Sequence, residues 1–173
     1  MEIVLLKKCS IWTVVDLISK GAKMLTYHES FMNEALKEAQ KAFEMGEAPI
    51  GAVIVKDGEI IARAHNLKEK KHDATSHAEI EVIRIASEVL GAWRLDECSM
   101  YVTLEPCPMC AGAIIQARVP NLYIGAMDRK AGAAGSVVDL FRVKEFNHQV
   151  DVAYGVLFEP CGQILTNFFK ERR

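Results

Sequence analysis

Two cysteines three residues apart, Cys107 and Cys110, are the residues whose spacing most clearly indicates chemistry. A Cys-x-x-Cys pair is typical of a dithiol redox site, of half a structural zinc site, or of part of a catalytic zinc site. The other cysteines are scattered singly in the sequence, so a structural site with a second Cys-x-x-Cys pair is disfavoured. A catalytic zinc needs only three protein ligands and leaves its fourth position to water, which fits this count.

The third ligand is predicted at His77, because His77-Ala78-Glu79 opens a predicted helix and brings an acid two residues later. Cys107 and Cys110 share one face of a helix's first turn, where exposed amides and the helix dipole stabilise thiolates. Glu79 is rotated roughly 200° from His77 on a regular helix, so the two side chains are not expected to bind one ion together. We therefore expect Glu79 to face the open position, where water binds.

A carboxylate beside a zinc-bound water has a clear chemical use. Zinc lowers the pKa of that water towards about 7 and makes a hydroxide nucleophile near neutral pH. Glu79 can take the proton and return it to a ring nitrogen and then to the leaving amine, as general base and then acid. Two thiolates offset the charge of the metal, which suits an amidine-like carbon that Glu79 activates by protonation. The predicted reaction is the hydrolytic removal of ammonia from a nucleobase.

The composition is that of an ordinary globular protein. With 173 residues, the chain is long enough for one domain with a substantial core, and half of it is apolar. The net charge of −2 disfavours a generally basic nucleic-acid coat but leaves room for a local basic patch. Five cysteines, most of them single, argue against a secreted disulfide framework and predict a cytoplasmic protein.

The elements that must position these residues alternate along the chain. The predicted order is helix, hairpin, helix, strand, helix, strand, strand, helix, which favours an α/β domain whose mixed sheet is covered by helices on both faces. Thr26-x-x-Glu29 has the form of a capping box and predicts the start of the first helix. Asp57-Gly58 between two β-rich runs predicts a hairpin with a type I′ turn. A helix is predicted from about His77 to Leu90, and another from near Cys107.

Residues 1–25 differ from the rest, because they are largely apolar but are interrupted by Lys7, Lys8 and Asp16. No uncharged run approaches the roughly 20 residues that span a bilayer, and a signal-peptide cleavage site is not evident. Three interpretations stay open: an N-terminal extension from a misplaced start, with Met24 as the native first residue, a short packing helix, or a membrane-surface helix. We assign the chemistry to a single domain at residues 26–173.

The site motifs resemble a known family. His77-Ala78-Glu79 with Pro106-Cys107-Pro108-Met109-Cys110 resembles the signature of zinc-dependent nucleobase deaminases. The resemblance to bacterial tRNA-specific adenosine deaminases is wider and covers roughly residues 26–173. It includes the segments Glu47-Ala-Pro-Ile-Gly-Ala-Val-Ile-Val, Ala64-His65-Asn66, Thr103-Leu-Glu-Pro-Cys-Pro-Met-Cys-Ala-Gly-Ala, Gly132-Ala-Ala-Gly-Ser and Asn147-His148.

This resemblance implies a fold, a reaction and a partner. The implied fold is α/β, a three-layer α/β/α cytidine-deaminase-like fold with a mixed sheet of about five strands. The implied protein is a cytoplasmic homodimer with one Zn²⁺ per subunit, without a membrane partner. The implied reaction converts the wobble adenosine of a tRNA anticodon stem-loop to inosine.

The resemblance also implies roles for individual residues. They are the zinc ligands His77, Cys107 and Cys110, the proton shuttle Glu79, and the substrate-binding residues Asn66, Asp128 and Phe169. Asn66 would hydrogen-bond the flipped nucleotide, Asp128 would contact the neighbouring sugar, and Phe169 would flank the RNA. Each substrate residue has a simpler reading: a turn residue for Asn66, a loop cap for Asp128, and core packing for Phe168-Phe169.

Two other functions stay open. One is deamination of a free base or nucleotide such as cytosine, cytidylate or guanine, because the zinc motif does not separate these substrates from tRNA. The segments around Asn66 and Asp128 favour tRNA. The other is a non-catalytic, zinc-stabilised RNA-binding protein, which would keep the ligands but would have no need for Glu79.

Overall fold

The computed structural model describes the backbone of residues 11–172 and the side chains of residues 26–172. The three interpretations of residues 1–25, as an extension, a packing helix or a membrane-surface helix, depend on residues or side chains outside the described part of the chain. The elements in chain order are α1 (Ile11–Glu44), β1 (Gly51–Lys56), β2 (Glu59–His65), α2 (Lys68–Lys71), α3 (Ala78–Leu90), β3 (Cys98–Leu104), α4 (Pro108–Gln116), β4 (Asn121–Ala126), β5 (Asp151–Tyr154) and α5 (Phe158–Lys170).

The five strands form one mixed sheet in the order β2-β1-β3-β4-β5. Strand β1 pairs antiparallel with both β2 and β3, whereas β3, β4 and β5 run parallel. The parallel pair β3 and β4 is joined through α4, as a parallel connection requires. The mixed sheet predicted from the alternation of elements is confirmed.

The β1–β2 hairpin turns at Asp57-Gly58, where both residues have positive φ, 52° and 81°. A type I′ turn needs positive φ at its two central residues, and Asp-Gly supplies it at low cost. The hairpin prediction is therefore correct. It matters to the site because β2 ends at His65, directly before Asn66.

Alternate residues of the central strands face two separate cores, as the period of two in a strand requires. On one face, helices α1 and α5 pack through Phe31, Met32 and Cys161 against Val53 and Tyr101. The other face carries α3 and α4, whose core residues pack with those of the sheet: Ala78, Val82, Ala86, Ala111, Ile114, Ala52, Ile54, Met100 and Val102. The three-layer α/β/α architecture is confirmed.

The predicted start of the first helix is wrong. Helix α1 begins at Ile11 and runs through Thr26 and Glu29, so the capping-box pattern lies inside the helix. Because the preceding residues are already helical, the amides near Thr26 have partners in the turn before and need no cap. Among the described residues, none of the helices has the length and apolar character to cross a bilayer.

Candidate active site

Three side chains meet where α3 and α4 begin, on the same face of the sheet. His77 occupies the N-cap of α3 and Cys107 occupies the N-cap of α4, both with extended backbone. Cys110 lies three residues later, on the inner side of the first turn of α4. The structure therefore brings together the three residues that the sequence predicts as metal ligands.

The distances within this group suit a tetrahedral metal. His77 Nδ1 lies 3.5 Å from Cys110 Sγ and 3.7 Å from Cys107 Sγ, and the three ligand atoms all lie within 4.8 Å of one another. Zinc–sulfur and zinc–nitrogen bonds of about 2.3 and 2.0 Å at a tetrahedral angle place two ligand atoms about 3.6 Å apart. The donor set of two sulfurs and one imidazole nitrogen also suits such an ion, so the residues present fit a metal site.

The electrostatics of the group favour an anionic sulfur. Hydrogen bonds from Cys110 and His77 lower the pKa of Cys107 to about 4, against the cost of its partial burial. The same hydrogen bond with Cys107, together with burial, raises the pKa of Cys110. The hydrogen bond to the Cys107 thiolate raises the pKa of His77. Of the two sulfurs, Cys107 is therefore the one that is anionic at neutral pH.

Glu79 lies beside this group but is not part of it. Its side chain is only 3% exposed, and Oε2 has no hydrogen-bond partner in the part of the chain that the structure describes. Burial raises the pKa of Glu79 to about 7. A buried, unpaired carboxylate oxygen is costly, so this atom is kept for a partner such as a water or a substrate.

Asn66 is buried directly after β2 and is held by Glu47, a buried acid that the sequence does not predict as a site residue. Its Nδ2 donates to Glu47 Oε2 at 3.0 Å. Glu47 also accepts hydrogen bonds from the backbone amides of Glu69, at 3.2 Å, and Lys70, at 2.7 Å. Glu47 therefore fixes Asn66 and helix α2 together. Its place at the head of the resembling segment Glu47-Ala-Pro-Ile was the signal for it.

A cavity of about 230 Å³ lies between this corner and the C-terminal helix, lined on its two sides by Asn66 and Phe169. Phe169 is 53% exposed, whereas Phe168 is buried and packs against Phe43, with ring centroids 5.5 Å apart. Arg172 lies over the Phe168 ring at 3.8 Å and also lines the cavity. Core packing thus explains Phe168 but not Phe169.

Asp128 lies in the loop after β4 and does not line that cavity. Its Oδ1 accepts a hydrogen bond from the amide of Lys130 at 2.9 Å, so the side chain does cap its own loop. The backbone amide of Asp128 donates to Glu105 Oε2, also at 2.9 Å. Glu105 is a second buried acid without a role in the sequence analysis, although it lies within the motif that contains the two cysteines.

The chain is similar to known deaminases over most of its length. The sequence profile described as MafB19-like deaminase matches residues 26–173. The tRNA-specific adenosine deaminase of Bacillus subtilis is 53% identical over 149 residues, 86% of this chain and 92% of that protein. A solved structure concerned with A-to-I editing by tRNA:A34 deaminases at the wobble position of transfer RNA is 49% identical. Its TM-score is 0.76, over 79% of this chain and 99% of that chain. Guanine deaminase from B. subtilis is 46% identical with a TM-score of 0.56, over 58% of this chain and 64% of that one.

Proposed function

Because the chain belongs to the family of tRNA-specific adenosine deaminases, we propose that it hydrolyses the wobble adenosine of a tRNA anticodon to inosine. The similarity to the B. subtilis enzyme and to the wobble-editing structure extends over most of each chain, which supports this substrate. The observation that carries the proposal is the His77, Cys107 and Cys110 group beside the unpaired buried oxygen of Glu79.

The metal in this proposal is zinc, one ion per subunit. Nδ1 of His77 and the Sγ atoms of Cys107 and Cys110 would hold it, because thiolate and imidazole ligands in tetrahedral array are the set that zinc takes. When bound, zinc supplies Lewis acidity that lets a water molecule ionise near neutral pH. Three protein ligands would leave one position of a tetrahedral zinc to water, and Glu79 lies next to the ligand group, where its side chain interacts with Cys110.

Glu79 is the proton shuttle in this proposal. Its free Oε2 accepts a proton from the attacking water and delivers it to N1 of the adenine ring, which makes C6 electrophilic. Glu79 then passes the second proton of the water to the exocyclic nitrogen. The C6–N bond breaks, ammonia leaves, and the new C6 oxygen remains in inosine. A carboxyl whose burial holds its pKa at about 7 is matched to giving and taking protons at neutral pH.

The remaining predicted site residues position the nucleotide in this proposal. The amide nitrogen of Asn66 is held by Glu47, which leaves its carbonyl oxygen to accept a hydrogen bond from the flipped nucleotide. Phe169 offers an exposed ring beside the same cavity, on which a neighbouring base can stack. Asp128 contacts the adjacent sugar. An anticodon loop is already single-stranded, so turning one base outward costs less than in a duplex.

An inosine assay tests the proposal. The zinc-loaded protein is given an anticodon stem-loop with a wobble adenosine and, separately, free adenosine, cytidine, cytidylate and guanine. We expect inosine from the stem-loop and little product from the others. Equal rates on free adenosine and on the stem-loop would contradict the assignment of RNA as substrate.

Replacement of the proton shuttle tests the mechanism. Glu79→Ala should keep the zinc and the fold but lower turnover by about 10²- to 10⁴-fold, because general acid–base catalysis is worth that much. Glu88→Ala, at an exposed acid on the same helix, is the matched control and should leave turnover unchanged. A Glu79→Ala protein that deaminates at the wild-type rate would show that Glu79 does not carry the proton.

A second candidate is deamination of a free purine base, which the likeness to B. subtilis guanine deaminase favours. That likeness covers a smaller share of both chains than the likeness to the wobble-editing structure does. Ammonia released from guanine, with none from the stem-loop, would favour this candidate and would retain the zinc and Glu79 assignments.

The proposal also covers assembly and domain limits. A homodimer is proposed, and light scattering should return twice the mass of one chain. Residues 26–173 are proposed as the deaminase domain, because the family profile matches this range. A protein that begins at Met24 should therefore keep full activity. Its tRNA substrate is consistent with a cytoplasmic location.

A further inference from the structure

Glu105 is a buried carboxylate that binds the loop after β4. It directly follows β3, is only 3% exposed, and precedes Cys107 by two residues. Oε1 accepts hydrogen bonds from the amides of Ala134, at 2.8 Å, and Ser136, at 3.1 Å. Oε2 accepts one from the amide of Asp128, at 2.9 Å, and another from the Ser136 hydroxyl. One side chain thus binds both ends of the segment from 128 to 136.

Two further contacts bind this loop to the same stretch of chain. The amide of Ala133 donates to the Pro106 carbonyl at 2.8 Å, one residue before Cys107. At Gly132, an added Cβ would lie 2.2 Å from both the Cδ and the Oε2 of Glu105. Residue 132 is therefore a glycine because any side chain there would collide with the Glu105 carboxylate, over which the loop passes. The loop and the strand that leads to the metal group behave as one unit.

We propose that Glu105 is a positioning residue for substrate binding, which holds the loop that carries Asp128 at a fixed place relative to the metal group. This inference rests on the proposed function, in which Asp128 contacts the sugar beside the flipped nucleotide. Glu105 touches neither the metal ligands' donor atoms nor the substrate in this scheme. It acts through the loop amides.

The carboxylate is needed because all four of its contacts are donors. Two carboxylate oxygens offer about four acceptor sites, and hydrogen bonds to an ionised group are roughly twice as strong as neutral ones. A glutamine at 105 would have the same shape but one accepting oxygen. If its amide NH₂ replaced Oε1, the amides of Ala134 and Ser136 would both lose their acceptor. If it replaced Oε2, the Asp128 amide would lose its acceptor, and only the Ser136 hydroxyl could turn to accept instead. The loop would then be released without a change in side-chain volume.

The test compares Glu105→Gln with Glu159→Gln, which makes the same change in the second Glu-Pro-Cys tripeptide, at an exposed position. Kinetics on the anticodon stem-loop, zinc content and amide hydrogen exchange are measured for both. For Glu105→Gln we expect KM to rise about tenfold with kcat within about threefold, because lost positioning weakens substrate binding. We expect zinc to stay bound and the Ala134 and Ser136 amides to exchange at least about tenfold faster. Glu159→Gln should match the wild type in all three measurements.

Two results would overturn the inference: kinetics and exchange in Glu105→Gln equal to those of Glu159→Gln, or loss of zinc from Glu105→Gln, which would place its role at the metal. Should Glu105→Gln fail to fold, Ser136→Ala decides, because it removes one donor to Glu105 and should raise KM about threefold with zinc retained. An unchanged KM in Ser136→Ala would then count against the inference. Wild-type protein that makes no inosine from the stem-loop would overturn the proposed function instead, independently of the variants.

Discussion

The tripeptide Glu-Pro-Cys occurs twice. The glutamate is buried in the first copy and exposed in the second, whereas the cysteine is half-buried in the first and fully buried in the second. In Glu105-Pro106-Cys107 the acid is inside and binds a loop, whereas the cysteine is half-buried at the edge of the metal group. In Glu159-Pro160-Cys161 the acid and the proline are exposed, and the cysteine is fully buried between α5 and the sheet. The Cys107 pKa is lowered to about 4, and the Cys161 pKa is raised to about 12.

Backbone context explains the difference. The first copy joins the end of β3 to the N-cap of α4. The second lies wholly inside the first turn of α5, so its three side chains follow the helical rotation and only the cysteine points inward. Exposed amides at a helix start lower a thiol pKa, but at Cys161 burial outweighs them. Three identical residues therefore give a site in one place and packing in the other.

The largest difference is expected between two single variants, Cys107→Ala and Cys161→Ala. Cys107→Ala should lose the metal and about a thousandfold or more of the activity, because a metal contributes several kcal/mol to the transition state. Cys161→Ala should keep the metal and activity within about twofold, and should cost about 1–2 kcal/mol of unfolding free energy for the cavity it leaves. Metal content, the inosine assay and urea unfolding measure these effects. Metal retained in Cys107→Ala would show that Cys107 is not a metal ligand.

Metal removal should also distinguish Cys107 from Cys161 by their reactivity, without mutation. In chelator-treated protein at pH 7, Cys107 is above its pKa of about 4 and half-exposed, so it should be alkylated rapidly as a thiolate. Cys161 is far below its pKa of about 12 and buried, so it should stay protonated and unreactive. Peptide mass mapping after a short exposure to iodoacetamide reads out both sites. Untreated zinc-loaded protein is the control, in which Cys107 should be protected. Equal labelling of the two cysteines after chelation would contradict the pKa contrast.

Smaller effects are expected at Gly125, which packs against Cys161. An added Cβ would lie 2.4 Å from Cys161 Sγ and 2.8 Å from the carbonyl oxygen of Thr103. Gly125→Ala should therefore cost about 1–3 kcal/mol by overpacking. Adding Cys161→Ala should recover about 1 kcal/mol of this, because it removes the nearest obstacle, the sulfur, but leaves the Thr103 carbonyl and the Cβ of residue 161, which lies 2.9 Å away. Urea unfolding of the two single variants and the double variant completes the cycle. Strict additivity would mean that Cys161 is not packed against Gly125.

Much of the site was predictable because its spacing is local. The Cys107–Cys110 pair and the start of α3 at His77 each depend on a few neighbouring residues. The rotation predicted for Glu79 assumed a regular helix at His77, whereas His77 is the N-cap of α3 and has extended backbone. The mixed sheet and the Asp57-Gly58 turn followed from alternation and turn chemistry in the same way. The meeting of these segments in space was inferred from the requirement for a third ligand, since the sequence itself contains no distance.

The errors and omissions concern contacts made over long distances in the chain. Glu105 and Glu47 are buried where backbone amides 22 to 31 residues away in the sequence pair with them. Nothing in the sequence around a glutamate shows that distant amides will pair with it, and most glutamates are exposed, as Glu159 is. The capping-box pattern at Thr26 failed for a related reason, because its meaning depends on whether the preceding residues are helical.

The smallest effect is expected at Glu159 itself. As an exposed acid in the first turn of α5, it interacts mainly with the positive end of the helix dipole. Glu159→Gln should therefore lower the unfolding free energy by about 0.5 kcal/mol or less, and salt should reduce that difference further because screening acts on exposed charges. Urea unfolding at low and at high ionic strength measures both quantities. A loss at Glu159 that equals the loss at Glu105, and that persists in high salt, would mean that the second acid also has buried partners. The opposite burial of the two tripeptides would then not account for their different roles.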